Sequence, residues 1–301
     1  MPAVAVSGLK KAYGPLEAVR GIDFTVEQGE VFALLGPNGA GKTTTLEILE
    51  GFLSRSGGRV SVLGVDPADA NRRWRERVGI VFQGAVVEPY LKVREVLERN
   101  AGYYPKPRGV DEVLELVGLV EKADARAKTL SGGQQRRLDV ALGIIGAPDL
   151  LFLDEPTTGF DPTARRGAWE LVDRLRDEGP TIILSTHYMD EAQHLADRVV
   201  VINQGEIVAS GTPETIGGRS EAAVRIRFAL PPDVDPDSMP IAGTRDGHGI
   251  YILETTDEVR VLHALTSWAL ECGVDLVGLT VDRPSLEDVY IELTSAAEVA
   301  E

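Results

Sequence analysis

Apolar residues fall into two kinds of pattern along this chain. Unbroken runs at 31–35, 78–82, 150–153 and 181–184 predict short buried strands. Leu46, Leu49 and Leu53 recur at helical spacing, as do Leu138, Ala141, Leu142 and Ile145 in a helix that ends before Pro148. Two more helix-like stretches, 93–100 and 111–117, flank a looser segment at 102–109. After about Gly218 the pattern changes and a second, smaller unit begins. Residues 224–228 alternate like a strand, 231–240 form a Pro- and Asp-rich connection, and 250–253 suggest another strand. Leu262, Leu265 and Leu270 mark a helix ending at Gly273. A strand at 276–281 follows, then a last helix through Leu286, Val289 and Tyr290, with a cap within 285–287.

Chemistry gathers where these elements change. After the run 31–35 comes Gly36-Pro37-Asn38-Gly39-Ala40-Gly41-Lys42-Thr43-Thr44, which fits G-x-x-x-x-G-K-[ST] at every fixed position and lies between a strand and a helix. Gly36, Gly39 and Gly41 let the backbone curl so that its N–H groups and a helix N-terminus face phosphate oxygens. Lys42 brings a point charge for the β and γ phosphates of a nucleoside triphosphate. Thr43 offers a hydroxyl to Mg²⁺, and Thr44 is placed to reach the α phosphate.

The run 150–153 ends in Asp154 and Glu155, where a Mg²⁺-organising acid and a water-activating acid are needed at the end of a parallel strand. Upstream, Leu130-Ser131-Gly132-Gly133-Gln134 precedes the helix of Leu138 and Ile145, so the serine and glycines fall at a helix N-terminus with open N–H donors. His187 closes the run 181–184 after Ser185 and Thr186. His194, His248 and His263 have no such setting.

Together these segments resemble the ATP-binding subunits of ATP-binding cassette (ABC) transporters, from about Val4 to about Gly218. The resemblance implies an α/β P-loop cassette over residues 1–218, with a mixed sheet and a helical arm at about 84–148. A small α+β domain at 219–301 would follow and serve as an interface or regulatory cap. In that family two cassettes pair head to tail, so Ser131, Gly132, Gly133 and Gln134 of one chain would close over the γ phosphate held by the other. The resemblance also implies that Tyr13 stacks on adenine and that Gln83 touches Mg²⁺ and senses a membrane partner. Asp161 would cross the dimer interface, and it independently fits the N-cap of a helix starting at Pro162. Phe160 departs from the leucine common at its position. Glu155 would polarise the attacking water, with Lys42, Gln83 and His187 completing the catalytic set, and Thr43, Gln83 and Asp154 would hold the metal. The string Leu286-Glu287-Asp288-Val289-Tyr290 resembles the C-terminal extension of the drug-resistance export (ABC-2, daunorubicin-resistance-like) branch. The implied partners are a second cassette, normally the same chain, and a separately encoded permease met through the arm, where Lys92 and Arg94 are candidate contacts.

Composition constrains the setting. The chain has 47 acidic and 31 basic residues in 301, a net charge of −16, which argues against nucleic acid or an anionic lipid surface as a nonspecific partner. One cysteine, Cys272, excludes an internal disulfide framework and is expected as a small apolar residue late in a helix. No segment approaches the roughly 20 apolar residues that span a bilayer, and nothing at the N-terminus resembles a signal peptide. The expected location is therefore the cytoplasmic face of the membrane, through the permease. Gly36 and Ser131 are fewer than 100 residues apart, too close for the inserted coiled coil of chromosome-maintenance cassettes. A single cassette in an acidic chain also disfavours a translation factor. A stand-alone regulatory ATPase is the alternative left open.

Overall fold

The computed structural model describes residues 1–82, 88–218, 223–232, 234–283 and 285–290. The chain divides into two compact units, Met1–Pro213 and Glu214–Glu301. Unit 1 contains the strands Val4–Tyr13 (β1), Leu16–Val26 (β2), Val31–Leu35 (β3), Gly57–Val62 (β4), Val78–Val81 (β5), Leu150–Asp154 (β6), Thr181–Thr186 (β7), Arg198–Asn203 (β8) and Glu206–Gly211 (β9). Its helices are Lys42–Leu49 (α1), Arg72–Arg75 (α2), Val93–Ala101 (α3), Val110–Leu116 (α4), Gly132–Ile144 (α5), Pro162–Asp177 (α6) and Met189–Leu195 (α7).

The unbroken apolar runs form the middle of a six-stranded sheet in the order β5-β6-β7-β3-β8-β9, parallel except for β9, which runs antiparallel to β8. Every side chain of β3 is buried, because the strand lies in the middle of a sheet whose faces are both covered. A second sheet, β2-β1-β4, is antiparallel and packs its inner face on the first. Phe24 of β2 stacks on Phe32 of β3 with ring centroids 5.3 Å apart, and Leu46, Ile48 and Leu49 of α1 belong to the same core. This layering fixes the carboxyl ends of β6, β7 and β3 side by side. Asp154 is level with Ser185, and Leu35 with Thr186.

One helix expectation shifts by about a turn. The first helix stops at Leu49, because Gly51 turns the chain at φ +79°, so Leu53 packs on the core from the following loop. In the arm, Lys92 pairs with Asp124 at 2.9 Å and Arg94 with Asp111 at 2.7 Å, all at the surface. These pairs tether α3 to α4 and to the loop after it. Among the described residues, no helix is long and apolar enough to cross a membrane.

Unit 2 holds Val224–Ala229 (β10), Thr244–Arg245 (β11), Ile250–Thr255 (β12), Glu258–Cys272 (α8) and Val277–Asp282 (β13), with the antiparallel sheet order β11-β12-β10-β13. Ile226, Phe228, Tyr251, Leu253 and Leu265 form its core. The helix ends at Gly273 in the left-handed region, as expected. Its buried stripe passes through Leu265 and Ala269, whereas Leu270 is 84% exposed. One residue of helix rotates a side chain by about 100°, so Leu270 lies in the expected helix but off its buried stripe. Cys272 is exposed rather than packed. Residues 286–290 are helical, and the cap is a reciprocal one: Ser285 Oγ accepts from Asp288 N–H at 3.0 Å, and Asp288 Oδ2 accepts from Ser285 N–H at 2.8 Å.

Candidate active site

The glycine loop leaves β3 at the middle of the parallel sheet, between β7 and β8, and enters α1. Two of its glycines are required by what surrounds them. A side chain at Gly36 would collide with the Ile202 carbonyl, and Gly41, at φ +105°, would press a Cβ to 2.5 Å from the Ala18 carbonyl. Pro37, Asn38 and Gly39 are exposed, while Ala40 is buried and anchors the loop by accepting from Gly205 N–H at 3.0 Å. Gly41 is the N-cap of α1 and gives it no side-chain cap. The first N–H groups of the helix are thus left for an anion.

Lys42 is 4% exposed and folds back over the loop, donating to the carbonyls of Gly36 at 2.7 Å and Pro37 at 3.0 Å. Burial lowers its pKa, against the opposing pull of Glu155 and Asp154. Its ammonium is 3.8 Å from Glu155 Oε1, so the loop after β3 and the loop after β6 meet through one ion pair. Thr43 is exposed and Thr44 half-buried.

Glu155 is the most constrained of the carboxylates. It is not glycine, yet it holds φ +43°, a costly conformation that persists only where neighbours enforce it. Its N–H donates to both the carbonyl and the hydroxyl of Ser185 at 3.1 Å. Its Oε2 accepts from Thr158 Oγ1 at 2.9 Å, and its Oε1 is 3.3 Å from His187 Nδ1. Burial pushes the carboxyl pKa up, but the Thr158 hydroxyl, His187 and Lys42 outweigh it and hold the pKa below the usual glutamate value. Glu155 is therefore ionised at neutral pH. Asp154 Oδ1 accepts a hydrogen bond from Ser185 Oγ.

Ser131 is the N-cap of α5. Its hydroxyl accepts from Gln134 N–H at 3.4 Å, and Gln134 Oε1 accepts from Ser131 N–H at 3.0 Å, a reciprocal box that leaves Gly132 exposed and Gly133 half-buried. Asp161 caps α6, accepting from Thr163 and Ala164 N–H at 2.9 Å each, with Pro162 in the first turn as the sequence suggested. Among the described residues, neither Ser131 nor Asp161 shares a hydrogen bond or ion pair with the phosphate loop of its own chain. Tyr13 ends β1 half-exposed, with Lys11 Nζ 4.9 Å from its ring centroid. Gln83 lies outside the described residues.

The structure therefore brings Lys42, Asp154, Glu155 and His187 together, and sets Tyr13, Ser131 to Gln134 and Asp161 apart. Sequence reasoning missed Thr158 and Ser185, which orient the two carboxylates, and Arg136, which donates to the carbonyls of Phe82, Asp154 and Pro156. Hydroxyl residues at a strand end opposite a carboxylate pair are a usable signal. Nothing in the local sequence around Arg136 points to its partners.

Comparison with known proteins adds an independent line. Residues 19–158 match the family described as ABC transporter, and residues 224–285 match the C-terminal domain of ABC transporter domain-containing protein-like chains. The daunorubicin/doxorubicin resistance ATP-binding protein DrrA of Streptomyces peucetius is 43% identical over 313 residues, covering 97% of this chain and 92% of that protein. Nod factor export ATP-binding protein I of Burkholderia lata is 37% identical over 306 residues, 98% of each chain. Among solved structures, cbiO1 from Clostridium perfringens, part of the ABC transporter complex cbiONQ, matches 71% of this chain and 89% of its own, with a TM-score of 0.64 and 31% identity.

Proposed function

The chain belongs to the ATP-binding cassette ATPases of ABC transporters, and from that premise we propose that it powers export through a separately encoded permease, working as a pair of cassettes at the cytoplasmic face of the membrane. Its fold is the α/β cassette that the sequence implied, followed by a small α+β unit. It binds ATP and is an ATPase of the drug-resistance and export type. The permease, the pairing and the residue roles are the parts proposed.

The observation that carries the catalytic reading is the meeting of Lys42, Glu155 and His187 at neighbouring strand ends, with Glu155 ionised. The β and γ phosphates of ATP compete with the Gly36 and Pro37 carbonyls and with Glu155 for the Lys42 ammonium. Once Lys42 turns to the phosphates, the Glu155 carboxylate, still held by Thr158 and His187, accepts a proton from the water whose oxygen attacks in line at the γ phosphorus. His187 supports that carboxylate through Nδ1 and offers its other ring nitrogen to the γ phosphate. The free N–H groups at the start of α1 bind phosphate oxygens, and the α5 N-terminus of the second cassette completes the charge cage.

Thr43 and Asp154 supply the hard oxygen donors that suit Mg²⁺, and Gln83 is the third proposed donor. Among the described residues no group of three or more His, Cys, Asp or Glu is placed to hold a metal ion. When bound, Mg²⁺ would neutralise developing charge on the phosphates.

Support for export comes from the drug-resistance and Nod factor export relatives, which the chain matches over almost its whole length. The test is co-purification of a tagged Glu155→Gln protein from native membranes with ATP present. A polytopic membrane protein in near-stoichiometric amount is expected. A clean ATP-bound dimer without a membrane partner would instead favour a stand-alone regulatory ATPase.

A further inference from the structure

Arg136 lies on the second turn of α5, five residues after the Ser131 cap, and its guanidinium is spent on three backbone carbonyls from two other segments. Nη1 donates to Phe82 at 2.5 Å, Nη2 to Asp154 at 3.2 Å and Nε to Pro156 at 3.2 Å. Phe82 immediately precedes Gln83, and Asp154 and Pro156 bracket Glu155. The fork therefore holds the carbonyls of the residues before and after the one with the strained backbone, while Ser185 holds its N–H.

We propose that Arg136 is a positioning residue for hydrolysis, a clamp that makes the helix bearing Ser131 to Gln134 and the loop bearing Glu155 move as one body. The proposal rests on the reading of Glu155 as the residue that polarises water. A cavity of about 270 Å³ lies between these two parts, bordered by Gly132, Arg136, Asp139, Glu155 and Thr158 among others, and Arg136 reaches the Glu155 loop from the helix side of it. The clamp is electrostatically supported from below. Burial works against the Arg136 charge, and Asp139, Asp154 and Glu191 sustain it. Asp139 is buried on the same helix and its carboxyl is pushed up to about 6 by burial, while Glu191 is fully buried in α7. A planar fork with several N–H donors can reach three carbonyls at once, and a lysine ammonium on a flexible stem cannot hold the same geometry.

Arg136→Met and Arg136→Lys in the purified protein test this, with Arg198→Met as a control for destabilisation. Arg198 pairs with Glu30 at the amino-terminal end of β8, away from the site. Steady-state kcat and KM, equilibrium binding of a non-hydrolysable ATP analogue, and thermal midpoints are measured for each. Arg136→Met is expected to lower kcat by about tenfold to a hundredfold, as misplacement of a reacting group does, with analogue affinity held within about twofold. Arg136→Lys recovers part of kcat. Wild-type kcat in Arg136→Met overturns the proposal, as does a loss no larger than that of Arg198→Met at equal loss of midpoint, or a loss matched by weakened analogue binding. Should the Met variant not fold, reduced kcat at unchanged affinity in Arg136→Lys supports the clamp, and wild-type kcat overturns it. Near-normal turnover by Glu155→Gln would sink the role of Glu155 itself. An inactive Glu155→Gln beside a fully active Arg136→Met would sink only the clamp.

Discussion

At the carboxyl ends of β3, β6 and β7, charged side chains are withdrawn from solvent and turned on one another, with Lys42 at 4% exposure against Glu155 and a non-glycine backbone held at positive φ. On the sheet of unit 2 the charges face outward. Arg225 sits opposite Glu254 in the β10–β12 register at 3.1 Å, and Asp288 is 3.8 Å away, all three open to solvent. Burying charges carries a desolvation penalty that a well-placed partner only partly offsets, whereas exposed cross-strand pairs form at little cost and contribute little. A chain that retains the first arrangement stores free energy at the site proposed for the chemistry. The second arrangement is what a packed, solvated domain needs.

The contrast can be broken most sharply by charge removal on each side. Lys42→Ala is expected to reduce ATP hydrolysis at least about a hundredfold, as loss of a preorganised cation at a transferring phosphoryl group does. Arg225→Ala is expected to change stability by less than about 1 kcal/mol and to leave hydrolysis unaltered. Steady-state ATPase rates and urea titrations on the two variants decide it. A comparable loss of activity in both would erase the distinction.

A second test concerns buried charge near the site but outside its chemistry. Glu50 caps the C-terminus of α1, and burial, reinforced by Asp154 and Glu47, raises its pKa to about 7. A folded-state value above the unfolded one means the folded protein holds the proton more tightly. The stabilisation is therefore full below the unfolded value, 4.5, and is lost as pH rises through about 7. Glu50→Gln removes the titration, so its stability relative to the parent chain should rise by about 2 kcal/mol between pH 5 and pH 8. Urea unfolding at the two pH values measures this. A pH-independent difference would show that Glu50 ionises normally.

The smallest effects separate two helix caps of similar geometry. Asp161→Ala and Ser285→Ala should each cost about 1 kcal/mol of stability. Only Asp161→Ala should also slow hydrolysis in the paired cassette. Equal ATPase rates in the two variants, at protein concentrations that favour pairing, would reduce Asp161 to a cap alone.

The reach of sequence reasoning follows the same divide. The strand, glycine loop and helix from Val31 to Leu49 were legible because their physics is local: an unbroken apolar run, glycines at a tight turn and a lysine at the helix start. Glu155 was legible because a charge pair ending a buried strand is conspicuous. Arg136 was not, since its partners lie up to 54 positions away in sequence. Ser185 and Thr158 matter only once β6 and β7 are set side by side. In unit 2 the helix and its end at Gly273 were legible from its leucines and the glycine, but its buried stripe through Leu265 and Ala269 was not, and Gly51 was not weighed against the leucine spacing across it.

The central claim, that Glu155 drives water onto the γ phosphate of a nucleotide gripped by Lys42, is tested most directly by Glu155→Gln, assayed for ATP binding and turnover on the same preparation. The account predicts retained ATP binding, turnover reduced by at least about a hundredfold, and accumulation of an ATP-bound dimer. Near-normal hydrolysis by that variant would contradict it.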